Sequence, residues 1–464
     1  MATTTTTTTV SSNKDLERSI NSLTAGALPY FRNIFRQLAL ENPQNSDTLC
    51  QLTTPLLITE HTERNIKLST RIAHIKIICW LNRFLNYKNF QEITKDDVTS
   101  YLSSLRRSET DDPCHRWIGT YNTRQMVLSK FFRWLYNQDE PNQDKWVTPT
   151  CMQGVKLLPR KERSPYKPSD IWTNEEHAIF LKYCPEKRDR CYHSMANDTS
   201  ARPHELLALR IKDIKFKISS NGTHYAEVHL VKSKTRPRTI PLIFSIPYVK
   251  DWIDSHPTGG NPDAFLFPSL SDSNYGQRLT ENSLYKQYTR KYQKHYFPKL
   301  LKDSSVSEAD KAYIRNLLTQ PWNPYVQRHS ALTAKSRILK ESTLRDHAGW
   351  TMTSKMPNIY LHYFGNESSK SLLEAYGVEK YNQQQIDILK AKTCPNCSEP
   401  NKPDSRFCAK CRMVLQYDAY NETLEKQQQK ESEVQRLQER YDVDIASLKD
   451  EMRFMWELLN STPH

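Results

Sequence analysis

The sequence predicts a multidomain, mainly α-helical protein that carries one small antiparallel sheet. Its 464 residues exceed the size of one ordinary domain. Apolar residues recur at helical spacing through most of the chain, whereas alternating apolar residues flank the turn pair Asn221-Gly222 and indicate a β-hairpin. Two Cys-x-x-Cys pairs and then a charged segment without proline or glycine follow, which indicate a small metal-binding ribbon and a coiled coil.

The charge of the chain favours a polyanionic partner. Lys and Arg number 66 against 52 Asp and Glu, which gives a formal net charge of +14, and each cation placed beside a phosphate releases condensed counterion. Nucleic acid is the first expectation, and a basic protein without such a partner is the alternative. No apolar run approaches the roughly 18 residues of a membrane span and the N-terminus has no hydrophobic signal core, so we expect a cytoplasmic protein.

The N-terminal third is expected to form a helical domain. Residues 1–15 contain a run of seven threonines and predict a disordered tail, whereas residues 16–137 predict helices, the clearest at 72–90, 94–105 and 120–136. The basic polar faces of these helices, which include Arg124, suit a DNA duplex, with a solvated structural face as the alternative. Residues 138–169 contain five prolines among basic residues and predict an extended linker.

Residues 170–380 carry the residues suited to catalysis. Arg202 stands where a turn leads into an amphipathic helix, with Pro203 at the first helical position. Further along are Arg328, then Trp350 after His347-Ala348-Gly349, then Tyr360 in the segment Tyr360-Leu361-His362-Tyr363. Arginine suggests a bound phosphate and tyrosine suggests a nucleophile, so helices that bring these side chains together would form a phosphoryl-transfer site.

In that order, the Arg202, Arg328 and Tyr360 segments resemble the catalytic boxes of the tyrosine recombinase (phage integrase) family. The Gly-Trp and Ser-Lys-Met-Pro forms resemble its archaeal members. The resemblance covers residues 170–380 and, more loosely, the helical region before them, which would be the core-binding domain that clamps DNA. It implies a site-specific recombinase or integrase of a mobile element that breaks and rejoins double-stranded DNA as a homo-oligomer, with a tetrameric synapse on DNA.

The resemblance also implies a role for each residue. Arg202 and Arg328 would hold the scissile phosphate, and Trp350 would donate its indole N–H to a phosphate oxygen. Tyr360 would attack the phosphorus and form a 3′-phosphotyrosine, with Tyr363 as the competing nucleophile. The general acid comes from the hairpin: Lys234 would protonate the leaving 5′ oxygen, with Lys232 as the alternative. This chemistry requires neither a metal nor a nucleotide.

One position departs from the family pattern. Tyr325 stands three residues before Arg328, where the family most often has histidine, so the usual imidazole proton acceptor is missing. His329 and His347 are the alternatives for that role, and Glu205 would orient catalytic groups. Two rival functions follow, namely a non-cutting DNA-binding relative and a relaxing enzyme of the type IB topoisomerase kind.

The C-terminal segments indicate a metal site and an oligomer. Within residues 390–416, Cys394, Cys397, Cys408 and Cys411 supply four thiolates at a spacing that suits one structural zinc ion, with a disulfide pair as the alternative. Residues 420–460 place apolar residues alternately three and four apart from position 441 onwards. This pattern predicts a coiled coil between protomers, with packing on the same subunit as the alternative.

Overall fold

The structure, a computed structural model, describes residues 68–113, 115–137, 139–160, 166–220, 222–231, 236–363 and 388–460. The chain divides into two units, Met1–Pro165 and Tyr166–His464. The tail predicted at residues 1–15, the lysines Lys232 and Lys234, and the side chain of Tyr363 lie outside the described residues. Their roles therefore stay predictions.

The described part of the first unit contains a group of three α-helices. They are α1 (Leu68–Phe84), α2 (Lys95–Ser103) and α3 (Trp117–Leu135). α2 begins at a capping box, since the Asp97 amide donates to Thr94 Oγ1 at 3.3 Å and the Thr94 amide donates to Asp97 Oδ2 at 2.8 Å. The helices pack around a shared apolar core whose fully buried residues include Leu81, Leu102, Leu128 and Phe132. The helical character predicted for this region is confirmed.

Part of the segment predicted as a linker packs against α3. Cys151, Met152 and Val155 are buried in the core of the first unit. Asn122 on α3 donates to the Leu158 carbonyl at 2.8 Å and accepts from the Leu158 amide at 2.8 Å. The prolines and basic residues that suggested an extended linker are interleaved with apolar residues. Burial of those apolar residues keeps the segment packed on the helices of the first unit.

Arg124 also differs from its expected surface role. Its guanidinium lies 4.7 Å from the centre of the Trp80 ring and donates to the Tyr101 hydroxyl at 2.7 Å. The side chain thereby joins α1, α2 and α3 within the first unit.

The second unit contains the predicted antiparallel sheet. Its strands are β1 (Ile214–Ile218), β2 (His224–Leu230) and β3 (Arg238–Leu242), in the order β1-β2-β3. Val228 on the middle strand pairs with Ile214 on one side and Ile240 on the other, and all three are buried. Gly222 in the β1–β2 turn has a φ of 79°, which glycine adopts without strain. The hairpin prediction is confirmed.

Helices surround this sheet and bury an aromatic core. In chain order they are α4 (Asn174–Tyr183), α5 (Lys187–Thr199), α6 (Pro203–Leu207), α7 (Ile246–Asp254), α8 (Glu281–Lys286), the π-helical segment Gln287–Tyr296, α9 (Phe297–Leu300) and α10 (Glu308–Thr319). Phe180 of α4 lies at the centre, with its ring 5.5 Å from Tyr288, 5.7 Å from Phe297 and 6.0 Å from Trp322. This core is the rigid support for the segments that carry the candidate site.

Three segments after this core carry the remaining site residues. They are α11 (Pro324–Ser336), α12 (Glu341–Ala348) and the π-helical segment Ile359–Tyr363. Asn323 caps α11, because its Oδ1 accepts from the Tyr325 amide at 3.0 Å and the Val326 amide at 3.1 Å. α11 packs against α5 and α12, which fixes the position of Arg328 on its first turns.

The C-terminal part of the described chain has a small two-stranded sheet, β4 (Lys392–Thr393) with β5 (Pro400–Asn401), and one helix of 44 residues, α13 (Tyr417–Asn460). Many apolar side chains on α13 are exposed, including Val434, Leu437, Tyr441, Leu448, Met452 and Met455. Among the helices that the structure describes, none has the length and apolar character needed to cross a membrane. The mainly helical fold with a small antiparallel sheet of three strands is therefore as the sequence predicts.

Candidate active site

Arg202 is held at the start of α6 by a carboxylate that it shares with another arginine. Glu205 Oε1 accepts from Arg202 Nη1 at 2.9 Å, and Glu205 Oε2 accepts from Arg238 Nη2 at 2.9 Å. Burial alone would raise the pKa of Glu205, but Arg238 and Arg202 hold it at about 2. The Arg202 side chain keeps 16% of its surface exposed, so it remains within reach of a ligand.

Arg328 is buried and oriented by two backbone carbonyls. Its Nη1 donates to the carbonyl of Ser200, which follows α5, and its Nη2 donates to the carbonyl of Ala348 at 3.0 Å. Burial and the nearby Arg202 lower the pKa of Arg328 to about 10. The guanidinium is therefore charged at neutral pH, and Arg202, Arg238 and Arg328 outnumber the single Glu205 carboxylate among these four groups.

Arg238 lies at the start of β3 and connects the sheet to the end of α12. Its Nε donates to the carbonyl of His347 at 2.9 Å. Gly349 ends α12 with a φ of 66°, and a Cβ on it would lie 2.7 Å from Arg238 Nη1. Only glycine leaves room for the guanidinium at this place.

The side chain of Tyr360 is buried beside Trp350 and His329. Its ring lies 5.4 Å from the Trp350 ring at an interplanar angle of 23°, and its hydroxyl lies 3.0 Å from His329 Nδ1. Only 2% of its surface is exposed. Burial raises the pKa of Tyr360 to about 12, although Arg328 and Arg202 act in the opposite direction. The phenol is therefore protonated at neutral pH and needs a proton acceptor before it can attack.

Tyr325 and His347, two further candidates for proton transfer, lie at the edge of the group formed by the arginines and Tyr360. Tyr325 is on the first turn of α11 and 42% exposed, and its pKa is raised by burial and by Glu281 while Arg202 and Arg328 oppose the shift. His347 Nε2 lies 3.2 Å from Ser200 Oγ, and burial together with nearby cations lowers the pKa of His347 to about 3. Neither phenol nor imidazole carries charge at neutral pH.

The structure brings five of the six predicted catalytic residues into one region: Arg202, Tyr325, Arg328, Trp350 and Tyr360. Lys234 lies outside the described residues. Arg238 was not among the residues predicted from the sequence, and its bond to Glu205 was therefore not expected. An arginine at the start of a buried strand was the available signal, because a buried cation requires a partner.

The four C-terminal cysteines lie together and could hold a metal ion. Cys394 Sγ is 3.5 Å from Cys411 Sγ, Cys397 Sγ is 3.6 Å from Cys408 Sγ, and all four sulfur atoms lie within 4.8 Å of one another. A tetrahedral site with metal–sulfur bonds of about 2.3 Å separates its sulfurs by roughly 3.8 Å. The spacing therefore fits one four-coordinate ion.

The segment that carries these cysteines, here called the four-cysteine module (residues 388–416), packs on α7 and α4 of the same unit. Lys250 of α7 pairs with Glu399, and Lys402 Nζ lies 2.5 Å from Asp251 Oδ2. Leu389 is buried with Leu181 and Tyr248. The partner of the module within this chain is thus the catalytic unit.

Comparisons with known proteins identify the family of the segment that carries this site. The model of the phage integrase family matches residues 172–367, a range that includes the site from Arg202 to Tyr360. The family predicted from the catalytic boxes is confirmed for this part of the chain, while its archaeal origin stays a prediction. No curated protein matches the chain at a significant level.

Several solved structures are similar at low sequence identity. The XerH site-specific recombinase bound to palindromic difH substrate, a post-cleavage complex, is 17% identical with a TM-score of 0.47, and the match covers 78% of this chain and 94% of that chain. The Tn1549 transposon integrase in complex with transposon right end DNA is 14% identical with a TM-score of 0.45, covering 71% and 99%. A lambda integrase dimer bound to a COC' core site is 14% identical with a TM-score of 0.45, covering 69% and 78%.

Proposed function

We propose that this chain, whose residues 172–367 form a domain of the phage integrase family, is a site-specific recombinase that cleaves and rejoins DNA strands through Tyr360. The observation that carries the proposal is the surroundings of that phenol. The phenol lies beside Trp350, its hydroxyl hydrogen-bonds His329, and the charges of Arg328 and Arg202 both act to lower its pKa. A buried tyrosine next to two phosphate-binding groups is suited to phosphoryl transfer.

Each residue of the site would have a separate role in the reaction. Arg202 and Arg328 would bind the non-bridging oxygens of the scissile phosphate and offset the charge that grows on them. Glu205 would orient Arg202 by accepting its hydrogen bond, and Arg238 would hold Glu205 in place by donating to its other oxygen. Tyr360 would attack the phosphorus, and the 5′ oxygen would leave with a proton that we assign to Lys234. The resulting 3′-phosphotyrosine keeps the bond energy, so a second 5′ hydroxyl can reverse the step.

Double-stranded DNA is the proposed substrate, bound largely through the basic surface that gives the chain its net charge of +14. We place the reaction in the cytoplasm, where DNA is present and the cysteine thiols stay reduced. The four-cysteine module would hold one structural zinc ion, whose role would be to fold the short loops that pack on α7.

Self-association is proposed to occur through α13. The apolar residues Val434, Leu437, Tyr441, Ile445, Leu448, Met452 and Met455 form a stripe on one side of the helix, whereas the exposed Val443 and Phe454 lie off it. Asp444 and Lys449 flank this stripe at positions that face each other between parallel chains and carry opposite charge. A second copy of the same helix therefore fits the stripe in both shape and charge.

One experiment tests the proposed reaction directly. Nicked duplexes cut from the source genome are incubated with the protein, and covalent protein–DNA adducts are separated under denaturing conditions, because a nick lets the short 5′ product diffuse away and traps the intermediate. Wild-type protein should form an adduct through a 3′ phosphate, and Tyr360→Phe should form none. An adduct that survives Tyr360→Phe and disappears with Tyr363→Phe would move the nucleophile to Tyr363.

A second candidate function is supported by Tyr325. Because a phenol accepts protons poorly at neutral pH, its presence where the family most often has histidine favours a relative that binds DNA without cutting it. That candidate predicts salt-sensitive DNA binding together with no adduct on any nicked genomic duplex.

A further inference from the structure

We infer that His329 is the proton acceptor for the attacking phenol of Tyr360. The inference rests on the proposed function and names a catalytic residue for it. The hydroxyl of Tyr360 lies 3.0 Å from His329 Nδ1, and the two rings lie 5.6 Å apart at an interplanar angle of 29°. A phenol that donates to Nδ1 requires the imidazole tautomer that carries its proton on Nε2. This is the distance and geometry expected of a general base.

The position of the imidazole is fixed by its helix and by one aromatic neighbour. His329 follows Arg328 directly on α11, so the phosphate-binding group and the base belong to the same rigid element. Tyr166 packs on the His329 ring at 4.7 Å, and its hydroxyl donates at 3.0 Å to Asn323 Oδ1, the cap of that helix. The ring therefore lacks the rotational freedom of a surface histidine.

The protonation state of His329 suits a base. Burial, and then the charge of Arg328, lower the pKa of His329 to about 4, so the imidazole is neutral at pH 7 and has a lone pair on one nitrogen, but it is a weak base until the charge of Arg328 is offset. The titratable and charged groups around it are Arg328 on its own helix, Tyr360 on the C-terminal segment and Tyr166 before α4. A DNA phosphate bound by Arg328 would offset that positive charge and strengthen the base when the substrate is present.

The proton transfer accompanies displacement at phosphorus. The bond from Tyr360 Oη to phosphorus forms while the bond from phosphorus to the 5′ oxygen breaks. The phenolic proton passes to His329 Nδ1, and the leaving oxygen takes a proton from the general acid that we assign to Lys234. In the reverse step His329 returns its proton to the phenolate.

The alternative bases, Tyr325 and His347, are less suited than His329 to accept the proton of Tyr360. Tyr325 is a phenol whose pKa is raised by burial and Glu281, so it is protonated and lacks a basic lone pair at neutral pH. The Nε2 of His347 lies 3.2 Å from Ser200 Oγ, and its carbonyl holds Arg238. His347 therefore helps to position the arginines of the site.

The test compares His329→Gln with wild type on a nicked duplex, with the exposed His229→Gln as the matched histidine control. His329→Gln should form adduct roughly 10²- to 10⁴-fold more slowly, as expected when a general base is lost, with DNA affinity and Tm retained. Imidazole added to His329→Ala should restore part of the rate. His229→Gln should match wild type. A His329→Gln rate within about threefold of wild type overturns the inference.

A second substrate separates the base from the acid. In a duplex with a 5′-bridging sulfur at the cleavage point, the leaving thiolate needs no proton, so a defect in the general acid is relieved and a defect in the base persists. Lys234→Ala should recover on this substrate, whereas His329→Gln should stay slow. Recovery of His329→Gln would overturn its assignment as base. If wild-type protein forms no adduct on either substrate, the proposed function fails and this inference fails with it.

Discussion

Gly349 ends α12 with a φ of 66° and lies against the guanidinium of Arg238. Replacement by alanine should cost about 1–2 kcal/mol through the left-handed backbone alone, and displacement of Arg238 should slow adduct formation as well. Two other glycines separate these effects. Gly222 has a φ of 79° with no atom within 4 Å of a new Cβ, and Gly260 has open space without a positive φ.

The expected order of Tm in differential scanning calorimetry is therefore Gly260→Ala highest, Gly222→Ala intermediate and Gly349→Ala lowest. Only Gly349→Ala should lose cleavage. Equal Tm values for Gly349→Ala and Gly222→Ala would show that contact with Arg238 contributes nothing.

Two buried histidines make the second unit sensitive to acid. His177 Nδ1 lies 2.9 Å from His193 Nε2, and His193 Nδ1 lies 3.0 Å from the Tyr288 hydroxyl. Burial, with a smaller effect of Lys335, lowers the pKa of His177 to about 3. Below about pH 6.5 the unfolded chain therefore binds a proton on this histidine and the folded chain does not. The stability that depends on the neutral imidazole is fully present above about pH 6.5 and is lost as the pH falls below it.

By pH 5 the loss from one such histidine is about 2 kcal/mol. Denaturant unfolding at pH 7.5 and pH 5 measures this difference, and His177→Gln should shrink it by about that amount. The exposed His229→Gln should leave it unchanged. A difference that is the same in His177→Gln and wild type would contradict the assignment.

The roles of single residues were only partly predictable from sequence. Arg202, Arg328 and Tyr360 stand in recognisable segments, and the structure brings them into one region. The Arg238–Glu205 bond joins residues 33 positions apart in sequence, and the choice of His329 over His347 depends on which face of α11 meets Tyr360. Neither fact is encoded in local spacing, because both follow from how the elements pack.

At the scale of elements, the four-cysteine module should hold one zinc ion per chain. Four thiolates within 4.8 Å of one another repel unless a cation binds them. Elemental analysis of purified protein should find about one equivalent of zinc, and a chelator should expose four additional thiols to alkylation. Less than half an equivalent, with all four thiols freely alkylated in the native protein, would exclude the site.

Helix α13 should set the oligomeric state. Removal of residues 417–464 should lower the mass seen by light scattering and spare adduct formation, because the stripe of apolar residues is buried only when another helix covers it. Met452→Lys should have the same effect, whereas Asp450→Lys, two positions away and off the stripe, should keep the wild-type mass. An unchanged mass after truncation would argue against pairing.

Elements were more predictable than single contacts. Period-two alternation around Gly222 located β1 and β2, and helical spacing of apolar residues located α2, because both signals are local. The character of residues 139–160 was predicted wrongly, because three prolines among basic residues suggested an extended chain. Their apolar residues gain stability from surfaces on α2 and α3 that are distant in sequence.

At the scale of the whole molecule, DNA binding should depend steeply on salt and little on the nucleophile. Affinity for a duplex arises from many cations, each of which releases counterion, so a log–log plot of affinity against salt should slope by about −0.9 for each phosphate contacted. Fluorescence anisotropy should give the same slope for wild type and Tyr360→Phe. A slope near zero would contradict a distributed basic surface.

The length of α13 can also be expressed in units of DNA. Residues 417–433 precede the apolar stripe and rise about 25 Å at about 1.5 Å per residue. In a parallel pair the two arms leave the stripe at the same end and side by side, so the start of each α13 would lie about 25 Å from the stripe, which equals about 7 base pairs at about 3.4 Å per base pair. Pairing through α13 would therefore hold two catalytic units at the same end of the paired helices, which favours cleavage points that lie close together on the duplex.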